Sequence, residues 1–265
     1  MTIVAGGDSF VYGSELADCN NTPSKNTFTA LLAQDDYVCA AYPGNSNEAI
    51  ARQTINACNI HKPSSVVVSW TFPGRYEFRF NYNTGQRLSP WYSINSWTIE
   101  QDTNAIEKEF VTKDEIILDI QKQTIERAKQ TGVAGFAKTF YEHVGSSEYW
   151  EVYSSLKEIM YLQNYLKARN IPYLFTLADN SIFYNYTADN ADESIISLIN
   201  NIDMDNFFFF PAGDGKHETT KPRGFYQWAV ENKYKVGTTH PLEEAHYAAY
   251  KLIRERFNEM VKRSN

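Results

Sequence analysis

Ile3-Val4-Ala5-Gly6-Gly7-Asp8-Ser9-Phe10 decides how the rest of the chain is read. A β-branched start runs into two glycines, and a serine follows just past the end of the implied strand. In open α/β sheets, ligands bind outside the carboxyl ends of the strands. Glycine at that edge allows a tight turn and a close approach. A serine there is placed to act as a nucleophile if a base can reach it. Gly7, Asp8 and Ser9 also suit an ordinary turn, so the residues that meet them must decide.

Outward from this stretch the chain alternates. Thr2 to Ala5 reads as a first strand, Asn26 to Ala33 as a helix, and Asp36 to Ala41 as a second strand ending at Tyr42-Pro43-Gly44. A helical pattern follows from Asn45 to about Asn59, with Ile50, Ile55 and the intervening alanines on one face. Ser65 to Trp70 has the continuous apolar, β-branched composition of a buried parallel strand. This β-α-β-α-β alternation predicts a doubly wound sheet.

From Tyr76 to Gly145 the alternation stops in favour of aromatic and polar residues. This region reads as an insertion after the third strand within a single domain spanning 1–265. Thr112 with Glu115 forms a capping box, and Ile116, Ile117, Ile120 and Ile125 continue at helical spacing to Gly132. Trp91, Tyr92 and Trp97 fit either a small satellite core or a lid or platform for stacking sugar rings. Alternation then resumes. Ser147 to Ala168 is an amphipathic helix, Tyr173 to Leu177 a fourth strand, Glu193 to Asn200 a helix and Asn206 to Phe210 a fifth strand. Gly224 to Asn232 is helical, and Pro241 at an N1 position opens a long final helix to about Val261.

Bulk properties narrow the function. The chain has 265 residues, a formal net charge of −7 and a pI near 5.3. That balance argues against a nucleic-acid or anionic-membrane surface. No apolar run approaches the length of a bilayer span, and the N-terminus lacks the pattern of a signal peptide. Cys19, Cys39 and Cys58 are widely spaced and odd in number, so neither a disulfide framework nor a zinc site is indicated. The expectation is a soluble, cytoplasmic protein without cofactor or metal, and without a nucleic-acid or membrane partner.

Three loops at predicted strand ends or helix starts carry informative residues. Ser9 is in the first. Gly44, in Pro43-Gly44-Asn45-Ser46-Asn47, precedes a helix, where its amide could donate to a developing oxyanion; it also suits a plain turn. The last loop, Gly237-Thr238-Thr239-His240-Pro241, places His240 just before the final helix, with His246 inside it.

Together these pieces resemble the SGNH, or GDSL-type, hydrolase family. Gly7-Asp8-Ser9 matches its first block, Gly44 its second-block glycine, and His240-Pro241 approximates its final block. The resemblance implies a three-layer α/β/α, flavodoxin-like fold with a five-stranded parallel sheet. It implies a serine-dependent ester hydrolase, an esterase or carbohydrate O-deacetylase. Ser9 would attack, His240 would serve as general base, and the amides of Ser9 and Gly44 would hold the oxyanion. Asp8 is expected to brace the turn.

Two departures accompany the resemblance. The family's third-block asparagine is absent from Trp70-Thr71-Phe72-Pro73-Gly74-Arg75, leaving Thr71 or Arg75 as substitute donors. Arg75 would also favour an anionic substrate, or it is a surface arginine. The aspartate expected three residues before the histidine is replaced by Gly237, which implies a Ser–His dyad. A competing D-x-x-H occurs at Asp214-Gly215-Lys216-His217. An acyltransferase on the same site, or a non-catalytic binding or assembly module on the same fold, are the alternatives.

Overall fold

The computed structural model describes residues 2–20, 22–33, 36–81, 91–99, 122–123, 126–184, 192–212 and 222–263. The elements, in chain order, are β1 (Ile3–Gly6), α1 (Ser9–Tyr12), α2 (Phe28–Ala33), β2 (Tyr37–Cys39), α3 (Asn47–His61), β3 (Ser65–Trp70), β4 (Tyr76–Arg79) and β5 (Trp91–Ile94). They continue with α4 (Val133–Phe140), α5 (Glu148–Ala168), β6 (Tyr173–Leu177), α6 (Ser181–Tyr184), α7 (Glu193–Asn201), α8 (Phe225–Glu231) and α9 (Glu243–Arg263). A π-helical turn, Tyr141–Gly145, links α4 to α5. The capping box at Thr112 and Glu115, with Ile116, Ile117, Ile120 and Ile125, lies outside the described residues, as does Asp214 to His217.

β2, β1, β3 and β6 form a parallel four-stranded sheet in that spatial order. Every residue of β3 is buried, as a run flanked on both sides by strands and on both faces by helices must be. The pleat divides the strands between two cores. Val4, Val66, Val68, Trp70 and Phe175 face α3, α5 and α7, whereas Ile3, Val67 and Leu174 face α2, α8 and α9. The result is a three-layer α/β/α arrangement. Leu156, wholly buried at the centre of α5, tests that packing. Leu156→Ala should cost about 2–5 kcal/mol, read as a lower urea midpoint at unchanged m-value.

Two sequence expectations are corrected. Asn206 to Phe210 does not form a fifth strand. The segment runs beside β6 and alternates, with Phe207 and Phe209 in one core and Phe208 and Phe210 in the other. It meets the sheet through a Phe175–Phe207 bridge and the Phe208 N–H on Phe175 O at 2.7 Å, and Phe210 turns to pair with Arg223. The apolar run that suggested a strand is therefore real, but its side chains alternate between two cores rather than building a ladder. Nor does Pro241 open the final helix. It pairs with Val236 in an antiparallel bridge, and the helix begins at Glu243. Glu243 and Glu244 supply negative charge to the first turn, where the helix dipole favours it.

β4 and β5 pair antiparallel, Tyr76 opposite Ile94. With α4 they enclose a separate cluster of Tyr76, Ile94, Val133, Ala134, Ala137 and Tyr141, against which Tyr92 packs. The face of Trp91 carries the Arg52 guanidinium, 4.5 Å from the ring centroid. The satellite-core reading thus accounts for Tyr92, and a cation already covers Trp91. The cluster is tied to the β3 loop by the Tyr141 hydroxyl, which donates to Gly74 O at 2.6 Å. None of the described helices is long and apolar enough to cross a membrane.

Candidate active site

The chain leaves β1 for β2 on one side and returns to β3 on the other. Such a switch in strand order, at the carboxyl ends of the strands, is where open α/β sheets bind their ligands. Ser9 stands there as the first residue of α1, with Asp8 as its N-cap. Ser9 keeps 8% of its surface exposed. Its Oγ lies 2.8 Å from His240 Nε2, across 231 residues of sequence.

His240 is held at the tip of a tight turn. The Val236–Pro241 bridge and the Gly237 N–H on His240 O, at 2.8 Å, close that turn. The imidazole packs on the ring of Phe10, with centroids 4.8 Å apart, and Phe10 in turn contacts Phe225 and Tyr226. Proline therefore does position the histidine, but through a bridge rather than through a helix start.

Glu15, which the sequence reading passed over, meets the other imidazole nitrogen: its Oε1 lies 2.8 Å from His240 Nδ1. A donated Nδ1–H leaves the Nε2 lone pair facing the Ser9 hydroxyl. Burial alone would raise the Glu15 carboxyl; the bonds from His240, Thr239 and Thr238 outweigh it and hold the group below the usual carboxylate range. No local pattern marks Glu15, because the contact joins residues 225 positions apart.

Asp8 is fully buried and faces away from the histidine. Its Oδ1 accepts the Phe10 N–H at 3.0 Å, and its Oδ2 accepts the Thr71 hydroxyl at 2.5 Å and Arg75 Nη1 at 3.2 Å. Arg75 also stacks on Phe72, 4.7 Å from its centroid. Thr71 and Arg75 are thus gathered on the carboxylate next to Ser9, where they brace the turn that carries Ser9. Asp8 also balances the charge of Arg75, which removes the main reason to expect an anionic substrate.

Gly44 has φ +82°, a left-handed conformation natural to glycine. Its loop is pinned to the Ser9 turn: Gly7 O accepts the Asn45 side-chain amide at 2.9 Å and the Tyr42 N–H at 3.4 Å. Among the described residues no backbone acceptor takes the Gly44 N–H. The N–H of Ser9, at the start of a helix, has no intrahelical acceptor either.

The histidine inside α9 has a different role. His246 is buried, stacks on Phe28, and accepts the Phe28 N–H at Nδ1, 3.3 Å. Burial, with a smaller contribution from His240, pushes its pKa down to about 3. An unfolded histidine takes up a proton near its ordinary pKa of 6.5 while the folded one stays neutral. Unfolding therefore gains a proton between those values, and stability falls as pH drops through that window. The expected slope is up to about 1.4 kcal/mol per pH unit. Denaturation of wild type and His246→Asn from pH 7 to pH 4 should show a shallower acid loss in the variant.

No family profile matches the chain, and no curated protein matches it. Two solved structures are similar over almost its whole length. One is the psychrotrophic esterase EstA from Pseudoalteromonas sp., in a form inhibited by monoethylphosphonate. It is 12% identical, with 99% of this chain and 97% of that chain covered and a TM-score of 0.43. The other, from Desulfitobacterium hafniense DCB-2, is assigned to a G-D-S-L family of lipolytic proteins. It is 14% identical, with 98% of each chain covered and a TM-score of 0.29. At these values neither likeness says what this chain does, which must be read from its own residues.

Proposed function

We propose that the protein is a serine-dependent ester hydrolase. The observation that carries this reading is the 2.8 Å contact between Ser9 Oγ and His240 Nε2 at the switch in strand order. It lies within the reach a general base needs. His240 Nε2 accepts the Ser9 proton as Oγ bonds to the acyl carbon, and the carbonyl π pair moves onto oxygen. The amides of Ser9 and Gly44 donate to that oxyanion. Collapse of the intermediate breaks the bond to the leaving alkoxide, which receives the proton from His240. A water molecule then repeats the sequence and frees Ser9.

Thr71 and Arg75 act behind the nucleophile in this scheme, as supports for the Asp8 turn. The test is hydrolysis of a small aryl acetate together with labelling by a fluorophosphonate, mapped by peptide mass spectrometry. Turnover with label on Ser9 supports the reading. An enzyme whose rate matches Ser9→Ala across several acyl esters would sink it.

A further inference from the structure

We infer that Glu15 is the positioning residue for His240, supplied from the nucleophile's own segment into space left by the missing side chain of Gly237. This inference rests on the Ser9–His240 reading above. Ser9 and Glu15, six residues apart, grip the two nitrogens of one imidazole: Ser9 Oγ at Nε2 and Glu15 Oε1 at Nδ1, each at 2.8 Å. The side chains of His240 and Glu15 are each only 14% exposed, so water competes little for their contact.

The carboxylate is also fixed from the histidine's side. Glu15 Oε1 accepts the Thr239 N–H at 3.1 Å and the Thr239 hydroxyl at 2.9 Å, while Oε2 accepts the Thr238 N–H. A Cβ at position 237 would lie 2.1 Å from Oε2, so any side chain there would force the carboxylate to shift from this position. Gly237 is therefore where the expected aspartate is lost and where a carboxylate from another loop takes over.

The backbone is bent to deliver this group. Glu15 has φ +69°, a left-handed conformation that is strained for a residue with a side chain. Such strain persists only where the surroundings over-determine it. Leu16 is buried beside Glu15, and the Ala17 N–H is taken by Glu243 Oε1 at 2.7 Å, anchoring the loop to the start of α9. Glu15 transfers no proton and forms no bond to substrate. It fixes the imidazole tautomer and faces the imidazolium that forms when His240 takes the Ser9 proton.

Glu15→Gln tests this in the full-length protein. An amide cannot both accept Nδ1–H and satisfy the Thr238 and Thr239 donors. The expected result is a fall in kcat of about a hundred-fold to ten-thousand-fold with KM within about threefold of wild type. The acid limb of the pH–rate profile should move to lower pH, and the downfield imidazole N–H proton signal of the resting enzyme should disappear. Gly237→Ala, which keeps every ionisable group but crowds the carboxylate, should lower kcat in the same direction. Unchanged kcat and an unchanged downfield signal in Glu15→Gln overturn the inference. The proton signal needs no substrate, so it decides the Glu15–His240 pair even if no ester is turned over. A labelled Ser9 with an indifferent Glu15 would overturn this inference and leave the hydrolase reading standing.

Discussion

Ser9→Ala should lower kcat/KM for an aryl acetate by about ten-thousand-fold to a million-fold, the range expected when a triad nucleophile is removed. The loss should fall on kcat, because the hydroxyl bonds to the acyl carbon and does little to hold the substrate. His240→Ala should cost a similar amount, and the double variant little more than either alone, because the pair acts as a unit. That non-additivity is the informative part. It follows from a single 2.8 Å contact through which the proton must pass. Losses that multiplied in the double variant would mean that the two residues act separately. Thermal unfolding of Ser9→Ala should remain close to wild type, because the hydroxyl stands at the strand ends and fills no core.

Asp8→Asn should lower stability by about 1–3 kcal/mol, as expected when buried donors lose their acceptor. The carboxylate is wholly buried and accepts three donors, the Phe10 N–H from its own turn and the Thr71 hydroxyl and Arg75 Nη1 from the loop after β3. An asparagine can still accept the Phe10 N–H. Its NH2 group then faces the Arg75 guanidinium, donor against donor, with the positive charge unpaired, and the Thr71 hydroxyl loses its carboxylate acceptor. Arg75→Met should cost less, because Asp8 keeps its other two partners and the Arg75 side chain is 21% exposed. Urea denaturation of the two single variants and the double variant measures the coupling. A change under about 1 kcal/mol in Asp8→Asn would show that the carboxylate is not the brace described here. Activity should fall alongside stability, because Asp8 caps the turn that presents Ser9.

Much of the fold was legible because its signals are local. The unbroken apolar run of Ser65 to Trp70 announced a strand buried on both faces, and β3 has those bounds. The apolar stripe over 147–168 announced α5, which begins at Glu148 with the Ser147 hydroxyl accepting the Trp150 N–H as its cap. The composition of the 206–210 run was equally plain but misleading. Consecutive phenylalanines whose side chains point alternately to opposite sides satisfy two cores without requiring a ladder, and only the sheet's edge decides whether one forms. Pro241 showed the same ambiguity, since a fixed φ serves a helix start and a bridge alike.

In the site, the sequence by itself determined which residues stand at the strand ends: Ser9 after β1, Gly44 after β2, and Thr71 and Arg75 after β3. It determined this because strand ends, glycines and helix starts leave their mark within a few residues. Only the tertiary structure decided what each side chain does there. It turned Thr71 and Arg75 toward Asp8, set His240 against Ser9, and brought Glu15 to His240 through a left-handed backbone bend. Those pairings span tens to hundreds of residues. A carboxylate that crosses to another loop is fixed by packing and by the space at Gly237, neither of which has a sequence period to read.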